Sequence, residues 1–535
     1  MQIKLLSLLL LLGLVGCNSS YQSNQKGGDD SSNITTASDS GYEVVMWPGN
    51  NFVTVWSISS AGESITLPLR SGYTYNFEIN WGDGSEIQTI TTFNDPNITH
   101  SYDVSGTYTV QMRGTMQAFY FNDTGDKSKI IRVTSFGDMG WIQLQNAFYG
   151  CNNLTDFSAD ADSTANVTNM MNMFQNAVQV TPNVANIDTS NVINMRGMFQ
   201  GATVANPDVT NWDVKSVQNF SGMFRDTNNA IPNTSAWVTT AATDMSMMFL
   251  NAASADPDVR NWNLSLVDDI SNMFRNANSA DPDVSLWNTA LIESMQGTFQ
   301  SNTNANPDVS GWDTGEVTSF SNMFNESNAN PNVTAWDTAK GIDFRNMFRN
   351  NPNADPNVSG WDMSSATQLD RMFQQATSAN PVVNGAGWTG ATLFQSTTAM
   401  FRGATSAFPD VSGWDTGDLE SADQMFEQMN ANPNVSGWDT SKLENTDTMF
   451  QNNPNANPDL STWDVTSLTS ATNMFTNSNL SDVNYSNFLI NASGQVVNPS
   501  ITFGAGDAKY NAGATASHND LTTNDLWTLD DDGAI

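Results

Sequence analysis

The stretch ANPDVSGWDTGEVTSFSNMF at residues 305–324 returns with few changes as ANPNVSGWDTSKLENTDTMF at residues 431–450. Nine of the 13 intervals between equivalent phenylalanines are 25 residues long, and the others are 24, 26 or 28. A period this constant over more than 300 residues predicts a solenoid of stacked repeats rather than one globular core. The 14 markers are Phe148, Phe174, Phe199, Phe224, Phe249, Phe274, Phe299, Phe324, Phe348, Phe373, Phe401, Phe426, Phe450 and Phe475.

A second column of large side chains runs through the same repeats. In each unit the Val-x-x-Trp-Asp piece is compatible with a short β segment, and the apolar residues leading to Met-Phe suit a helical turn. We expect the Met-Phe and tryptophan columns to lie inside the coil, although regularly spaced tryptophans are also typical of sugar-stacking platforms. The column comprises Trp212, Trp237, Trp262, Trp287, Trp312, Trp336, Trp361, Trp388, Trp414, Trp438 and Trp463.

The units WDVKSVQNFSGMFRDT and GWDTGEVTSFSNMFNES, with AFYGCNNLTDF at residues 147–157, resemble the BspA-like leucine-rich-repeat surface proteins of bacteria. The resemblance covers roughly residues 129–478 and implies a leucine-rich-repeat-like solenoid on a bacterial surface, usually assigned to adhesion. Extra residues around 381–401 depart from the pattern. Other residues replace the aspartate after tryptophan at Val238, Asn263, Asn288 and Thr389.

Short apolar runs with alternating polarity, such as YNFEINW and TYTVQM, precede the repeats and predict a β-sandwich over residues 42–116. Its segments WGDGS and HSYDVSGTYTV resemble the extracellular PKD-like module, which implies a spacer or binding domain. The expected fold is therefore mainly β with short helical turns. It has about 14 leucine-rich-repeat-like units over residues 117–478, after the small sandwich, and a C-terminal cap over residues 479–535.

The first residues, MQIKLLSLLLLLGLVGC, combine one cation, a short apolar run and a small residue before Cys17. This pattern predicts a signal peptide over residues 1–16. Its ending resembles a bacterial lipobox, which implies lipid attachment at Cys17 and a membrane partner through that lipid. The polar residues 17–41 are typical of a flexible tether. Asn18, where aspartate often marks inner-membrane retention, favours the outer membrane or the cell surface.

Charge and residue usage exclude several function classes. With 19 basic and 55 acidic residues the formal charge is −36, which argues against a nucleic-acid partner because phosphate binding requires cations. Only two histidines exist, His100 and His518, both outside the repeats, so most nucleophilic and histidine-metal arrangements are lacking. We expect no enzyme activity and no cofactor. Cys151 replaces the alanine or asparagine of other repeats, which predicts a small buried side chain.

Aspartate follows tryptophan in seven of the eleven tryptophan repeats. A stacked column of carboxylates repels itself unless cations or hydrogen-bond donors lie between them, so it is either a ligand or calcium ridge or a row of turn caps. No metal site is expected, because the next residue supplies no second carboxylate. The column comprises Asp213, Asp313, Asp337, Asp362, Asp415, Asp439 and Asp464.

Two further polar columns are expected to face outward. One is a solvated acidic edge formed by Asp256, Asp258, Asp281 and Asp283. The other follows the marker phenylalanine and includes Arg225, Arg275, Arg349 and Arg402. Together these features favour a binding or adhesion scaffold that presents a multivalent acidic face to an extracellular protein or glycan. The alternatives are a polysaccharide-degrading enzyme on a β-solenoid and a calcium-stiffened surface-layer protein.

Overall fold

The computed structural model describes residues 35–37, 43–159, 163–391 and 394–535. The predicted signal peptide, the predicted lipid site Cys17 and most of the predicted tether lie outside the described residues; within the tether, residues 35–37 form a strand. Regular secondary structure is mostly β. The strands are β1 (Thr35–Ala37), β2 (Glu43–Val45), β3 (Phe52–Ile58), β4 (Glu63–Thr66), β5 (Tyr75–Asn80), β6 (Gln88–Ile90), β7 (Thr99–Tyr102), β8 (Gly106–Met116), β9 (Ile130–Ser135), β10 (Asp156–Ser158), β11 (Thr181–Asn183), β12 (Thr502–Gly504) and β13 (Thr528–Asp530).

The helices of the described residues are few and short. Two 3₁₀ helices occupy Pro96–Ile98 and Ala512–Ala514. The α-helices are α1 (Ala386–Thr389), α2 (Asp482–Ala492) and α3 (Thr515–Thr523). In this part of the chain no helix has both the length and the apolar character needed to span a bilayer.

A seven-stranded sheet with the order β11-β10-β9-β3-β8-β5-β6 organises the N-terminal part. Strands β9, β10 and β11 pair in parallel, whereas β3 pairs antiparallel with both β8 and β9. Strands β4 and β7 form a separate antiparallel pair. The large sheet therefore includes strands on both sides of residue 116, the predicted end of the sandwich, and it continues into the first repeats.

Beyond the sheet, each repeat forms one coil that stacks on the next. Twelve parallel bridges in the described residues link equivalent positions on successive coils, from Asn169 to Ser470. In each of these coils the bridged residue lies five positions before the marker phenylalanine. The sequence period is thus a spatial period, and residues that align in sequence form columns along the stack.

Backbone bonding alternates along the Met-Phe segment of each coil. The N–H groups of Asn172, Phe174 and Asn176 each donate to a carbonyl of the following coil at 2.8 Å. Those of Met173 and Gln175 instead donate to a carbonyl three residues back in their own coil, both at 3.2 Å. Every second amide therefore joins two coils, while the others close tight turns.

The predicted local conformations are wrong within the coil. The Val-x-x-Trp piece closes a turn, with the Trp312 N–H donating to the Val309 carbonyl at 3.2 Å, and is not a strand. The Met-Phe segment carries the bonds between coils rather than a helical turn. The physical reason is that two residues of this segment have positive φ, which a helix does not allow.

Positive φ recurs two residues before and two residues after the marker phenylalanine. Asn172 and Asn176 have φ of 56° on either side of Phe174, and Gly197 and Gly201 have φ of 58° and 71° in the next coil. Asparagine and glycine tolerate this left-handed conformation best, which explains their frequency at both positions. Residues of other types hold the same conformation at Met247, Arg371, Ala399 and Thr448.

The two aromatic columns form the core, as predicted. The marker phenylalanine rings stack from Phe148 to Phe475 with neighbouring centroids 5.0–6.1 Å apart. The repeat tryptophans are at most 4% exposed, so they cannot serve as an external sugar platform. Cys151 is buried as well.

The C-terminal segment takes the place of a following coil. The Phe475 N–H donates to the Gly504 carbonyl of β12 at 2.9 Å, as it would to the next repeat. The Phe503 ring contacts the ring of Phe488 on α2, with centroids 4.4 Å apart. The last repeat is thereby covered by residues that leave the 25-residue period.

Candidate functional site

The aspartate column that follows the tryptophans is the candidate site predicted from the sequence, and the stack brings its members into one row. Each aspartate lies directly beside a buried tryptophan on the surface of its coil. Asp313, Asp337, Asp415 and Asp439 are exposed, and Asp213, Asp362 and Asp464 are half-buried.

Every carboxylate of the column is used by its own turn. Oδ1 of Asp313 accepts the Gly315 N–H at 3.1 Å, and Oδ1 of Asp362 accepts the Ser364 N–H at 2.9 Å. The same bond to the residue two positions later occurs at Asp213, Asp337, Asp415, Asp439 and Asp464. The sequence left two interpretations of this column open, a ligand or calcium ridge and a row of turn caps. The observed hydrogen bonds fit the turn caps.

Nearby donors favour the charged form at two positions of the column. The Lys215 ammonium donates to Asp213 at 2.7 Å and lowers the pKa of that carboxyl. At Asp439 the side chain and then the backbone N–H of Ser441 lower the pKa. The self-repulsion expected of a carboxylate row is therefore offset by donors at these places.

Neighbouring coils place pairs of these carboxylates around a glycine. A Cβ atom at Gly315 would lie 3.4 Å from Asp313 Oδ1 and 3.6 Å from Asp337 Oδ2. The same arrangement surrounds Gly417, between Asp415 and Asp439. The described parts of the chain nevertheless contain no group of three His, Cys, Asp or Glu side chains that could hold a metal ion.

The threonine after the aspartate forms a hydrogen-bonded column that sequence reasoning missed. The Thr314 hydroxyl donates to the Asp337 carbonyl of the next coil at 2.8 Å, and the Thr338 hydroxyl donates to the Asp362 carbonyl at 2.9 Å. These threonines are about 1% exposed. The repeated triplet Trp-Asp-Thr was the available signal, because a buried hydroxyl needs a fixed partner.

Of the two other predicted polar columns, the acidic edge is exposed as expected, whereas the arginine column is less exposed than expected. Asp256, Asp258, Asp281 and Asp283 are exposed and form the acidic edge. The arginines after the marker phenylalanine are half-buried, and two contact the next coil: Arg349 Nε donates to Gln374 Oε1 at 2.8 Å, and Arg402 Nε lies 3.0 Å from Glu427 Oε2.

Three acidic residues, Asp423, Glu427 and Asp447, lie close together near the Met-Phe segments of two adjacent coils. Burial is the main cause that raises the pKa of the Asp423 carboxyl, followed by the negative charges of Asp447 and Glu427. The sequence did not single out these residues. Their coils follow the irregular repeat that contains α1.

These stacked coils, with aromatic columns inside and polar turn-forming columns outside, define a repeat protein of the solenoid class. The chain belongs to the family described as "Mycoplasma protein of unknown function, DUF285", which matches residues 142–258, 243–330, 312–406 and 395–498. Those matches together span about two thirds of the chain.

Comparison with solved structures gives a weak similarity. A chain of the "Crystal structure of TLR13-ssRNA13 complex" aligns with 78% of this chain and 67% of its own length, at 8% identity and a TM-score of 0.14. No curated protein matches the sequence.

Proposed function

We propose that the chain is a non-catalytic binding scaffold of the BspA-like type, displayed on a bacterial surface. The observation that carries this proposal is the unbroken row of bridges from Asn169 to Ser470, which repeats the same outward columns at one pitch. Along that surface many weak contacts to an extended protein or glycan add up to avidity.

The hydrogen bonds of the acidic side chains support a binding role for the protein rather than a catalytic one. The seven aspartates of the predicted ridge are all engaged in turns. Function is then carried by exposed residues that vary from coil to coil, such as the positions held by Glu316, Leu266 and Leu291. Such variation allows different coils to contact different parts of one ligand.

The proposal includes an anchor. Lipid attached to Cys17 would hold the protein at the outer membrane or cell surface, with residues 17–41 and the PKD-like module as spacer. Globomycin should block signal removal, and Cys17→Ala should release the protein from the membrane fraction. Unchanged processing and fractionation would contradict the anchor.

Shortening the solenoid in whole repeats tests the scaffold. Deleting residues 200–299 removes four units of 25 residues and joins equivalent positions, so stacking between neighbours is retained. On an array of host-matrix proteins and glycans, we expect the full chain to bind and the shortened chain to bind at least about tenfold more weakly. Deletion of residues 200–224 alone is the control for the new junction. Equal binding by all three forms would contradict a multivalent surface.

The two alternatives predict different outcomes. A polysaccharide-degrading enzyme would release reducing ends from a polysaccharide and lose that activity in Asp423→Asn or Asp447→Asn. A calcium-stiffened surface layer would show a large rise in melting temperature with millimolar Ca²⁺ but not with Mg²⁺. We expect no Ca²⁺ effect, since the carboxylates of the aspartate column already accept backbone N–H bonds. We also expect no released reducing ends, since the proposed role is binding.

A further inference from the structure

The residue before proline forms another column of side-chain bonds between coils. Oδ1 of Asn306 accepts the N–H of Asn330 at 2.9 Å, and Oδ1 of Asn330 accepts the N–H of Asp355 at 3.0 Å. Oδ1 of Asp355 likewise accepts the N–H of Asn380, also at 3.0 Å. An oxygen-bearing side chain at this position therefore satisfies an amide on the following coil.

Phe408 interrupts this column. Its N–H donates to Asn380 Oδ1 at 3.0 Å, but its own side chain has no oxygen to offer the next coil. Phe408 is 64% exposed, the highest value among the large apolar residues in the described part of the repeats. Phe408 therefore leaves the next coil without a side-chain acceptor at this position, so bonding between coils does not explain an aromatic ring here.

The ring lies beside a small cavity at the irregular repeat. Phe408, Val382, Asn380, Asn384 and Asp410 are among the residues that line this cavity of about 160 Å³. Val382 is 50% exposed and stands where most other coils have an aspartate or asparagine that closes a turn. Two neighbouring coils thus carry an apolar residue, Val382 and Phe408, at adjacent positions that are polar in most other coils.

Polar groups border the apolar ring. Asn384 Nδ2 donates to Asp410 Oδ2 at 3.0 Å, which fixes an amide and a carboxylate at the rim of the cavity. The Ser412 side chain and then the Asn384 amide lower the pKa of Asp410, so it is an ionised acceptor at neutral pH. None of the described lining residues carries a positive charge.

We infer that this cavity binds one ring of a neutral sugar, stacked on Phe408 with its hydroxyls bonded to Asn384 and Asp410. A pyranose ring has an apolar C–H face and a rim of hydroxyl donors and acceptors, which match the aromatic ring and the amide–carboxylate pair. An anionic sugar would face Asp410 with no cation to neutralise it. The volume is well below that of pockets for larger ligands, so one ring of a longer chain enters.

The inference rests on the proposed function, because polysaccharides meet this site only outside the cell. It deepens that function by giving the scaffold one specific subsite in addition to its repeated surface.

Two variants distinguish an effect on sugar binding from an effect on folding. Phe408→Asn restores the residue type of the column and its acceptor, so the variant should melt no lower than the unmodified chain. Ile231→Ala is the matched control, since Ile231 is 59% exposed at the same position of an earlier coil. Far-UV circular dichroism and thermal melting of the full chain establish that both variants fold.

Binding is measured by affinity gels containing starch, xylan or mannan, and by calorimetry with the corresponding hexasaccharides. We expect at least one neutral glycan to bind, Phe408→Asn to weaken that binding about tenfold or more, and Ile231→Ala to leave it unchanged. Polygalacturonate, which is anionic, should not bind through the site.

Three results would overturn the inference: no neutral glycan binds, Phe408→Asn binds as well as the unmodified chain, or Ile231→Ala causes an equal loss. Retention on host-matrix proteins without any glycan binding would reject the sugar site while leaving the scaffold standing. Absence of all binding on the array would reject the scaffold itself.

Discussion

The indole Nε1 of Trp312 donates a hydrogen bond of 3.1 Å to the carbonyl oxygen of Val284 on the preceding coil. The equivalent bond recurs along the tryptophan column, for example from Trp361 to Val333 at 3.1 Å. Trp262 is the exception, because in the described structure its buried Nε1 has no hydrogen-bond partner. The tryptophan column therefore contains both bonded and unbonded members in near-identical surroundings.

This difference predicts unequal effects of one substitution. Trp312→Phe and Trp262→Phe each lose similar buried area, but only Trp312→Phe leaves the Val284 carbonyl without its donor. We expect Trp312→Phe to destabilise the protein by about 1–2 kcal/mol more than Trp262→Phe. Urea denaturation of the full chain measures the difference, and equal midpoints for the two variants would show that the bond contributes nothing.

The contribution of the aspartate column to stability should depend on the side-chain oxygen that accepts the backbone N–H and not on the negative charge. Asp313→Asn keeps an acceptor for the Gly315 N–H and should leave stability nearly unchanged, whereas Asp313→Ala should cost about 1 kcal/mol. Thermal melting of both variants at neutral pH is the measurement. A loss in the asparagine variant as large as in the alanine variant would assign the role to charge.

Thr448 holds a conformation that its side chain disfavours. Its φ is 52°, a region in which β-branched residues are rare. Thr448→Gly should therefore raise stability by about 1 kcal/mol. Thr405→Gly is the control: Thr405 is exposed and outside the set of positive-φ residues, so glycine there should lower the melting temperature. Destabilisation by both variants would contradict the expected strain.

Asp423 should make stability depend on pH in the direction opposite to most carboxylates. Its folded pKa is raised, so the unfolded chain, with a carboxyl pKa of about 3.9, loses this proton at lower pH than the folded chain. Stability from this group is therefore lost as pH rises from about 4 through the folded pKa. Asp423→Asn should melt higher than the unmodified chain at pH 7 and equally at pH 3.

Asp308→Asn is the control for this pH effect. The Ser310 side chain, followed by its backbone N–H, lowers the pKa of Asp308, and asparagine fills the equivalent position at Asn332, Asn357 and Asn434. That variant should not gain stability at pH 7. The same gain in both variants would mean that net charge, and not the surroundings of Asp423, is responsible.

The two cysteines should differ in reactivity. Burial raises the pKa of the Cys151 thiol well above its usual range, so it should resist iodoacetamide until the protein unfolds. With the proposed lipid on Cys17, chain purified from membranes should show no labelled thiol when native and one when denatured. Labelling of native protein at Cys17, mapped by mass spectrometry, would contradict lipid attachment.

The period, the buried columns and the exposed acidic edge could be predicted because each rests on one residue type recurring at one spacing. The local conformation could not, because asparagine suits both ordinary turns and the left-handed positions of Asn172 and Asn176. The role of Asp313 stayed open for a similar reason: a sequence shows its charge but not the Gly315 N–H that its oxygen accepts. Phe408 was missed although a signal was present: it stands directly before Pro409, at the position that Asp256 and Asp281 hold in the exposed acidic edge.

The bonds between coils of the Met-Phe segment all run in one direction, since the N–H groups of each coil donate to carbonyls of the coil that follows. A coil therefore keeps unsatisfied donors until the next repeat, about 25 further residues, has emerged and packed beside it. Folding from the N-terminus should therefore lag one repeat behind the emerging chain, and it ends when β12 supplies the Gly504 carbonyl to Phe475. A message truncated within the repeats would yield a chain whose last coil remains open to pairing with a neighbouring molecule.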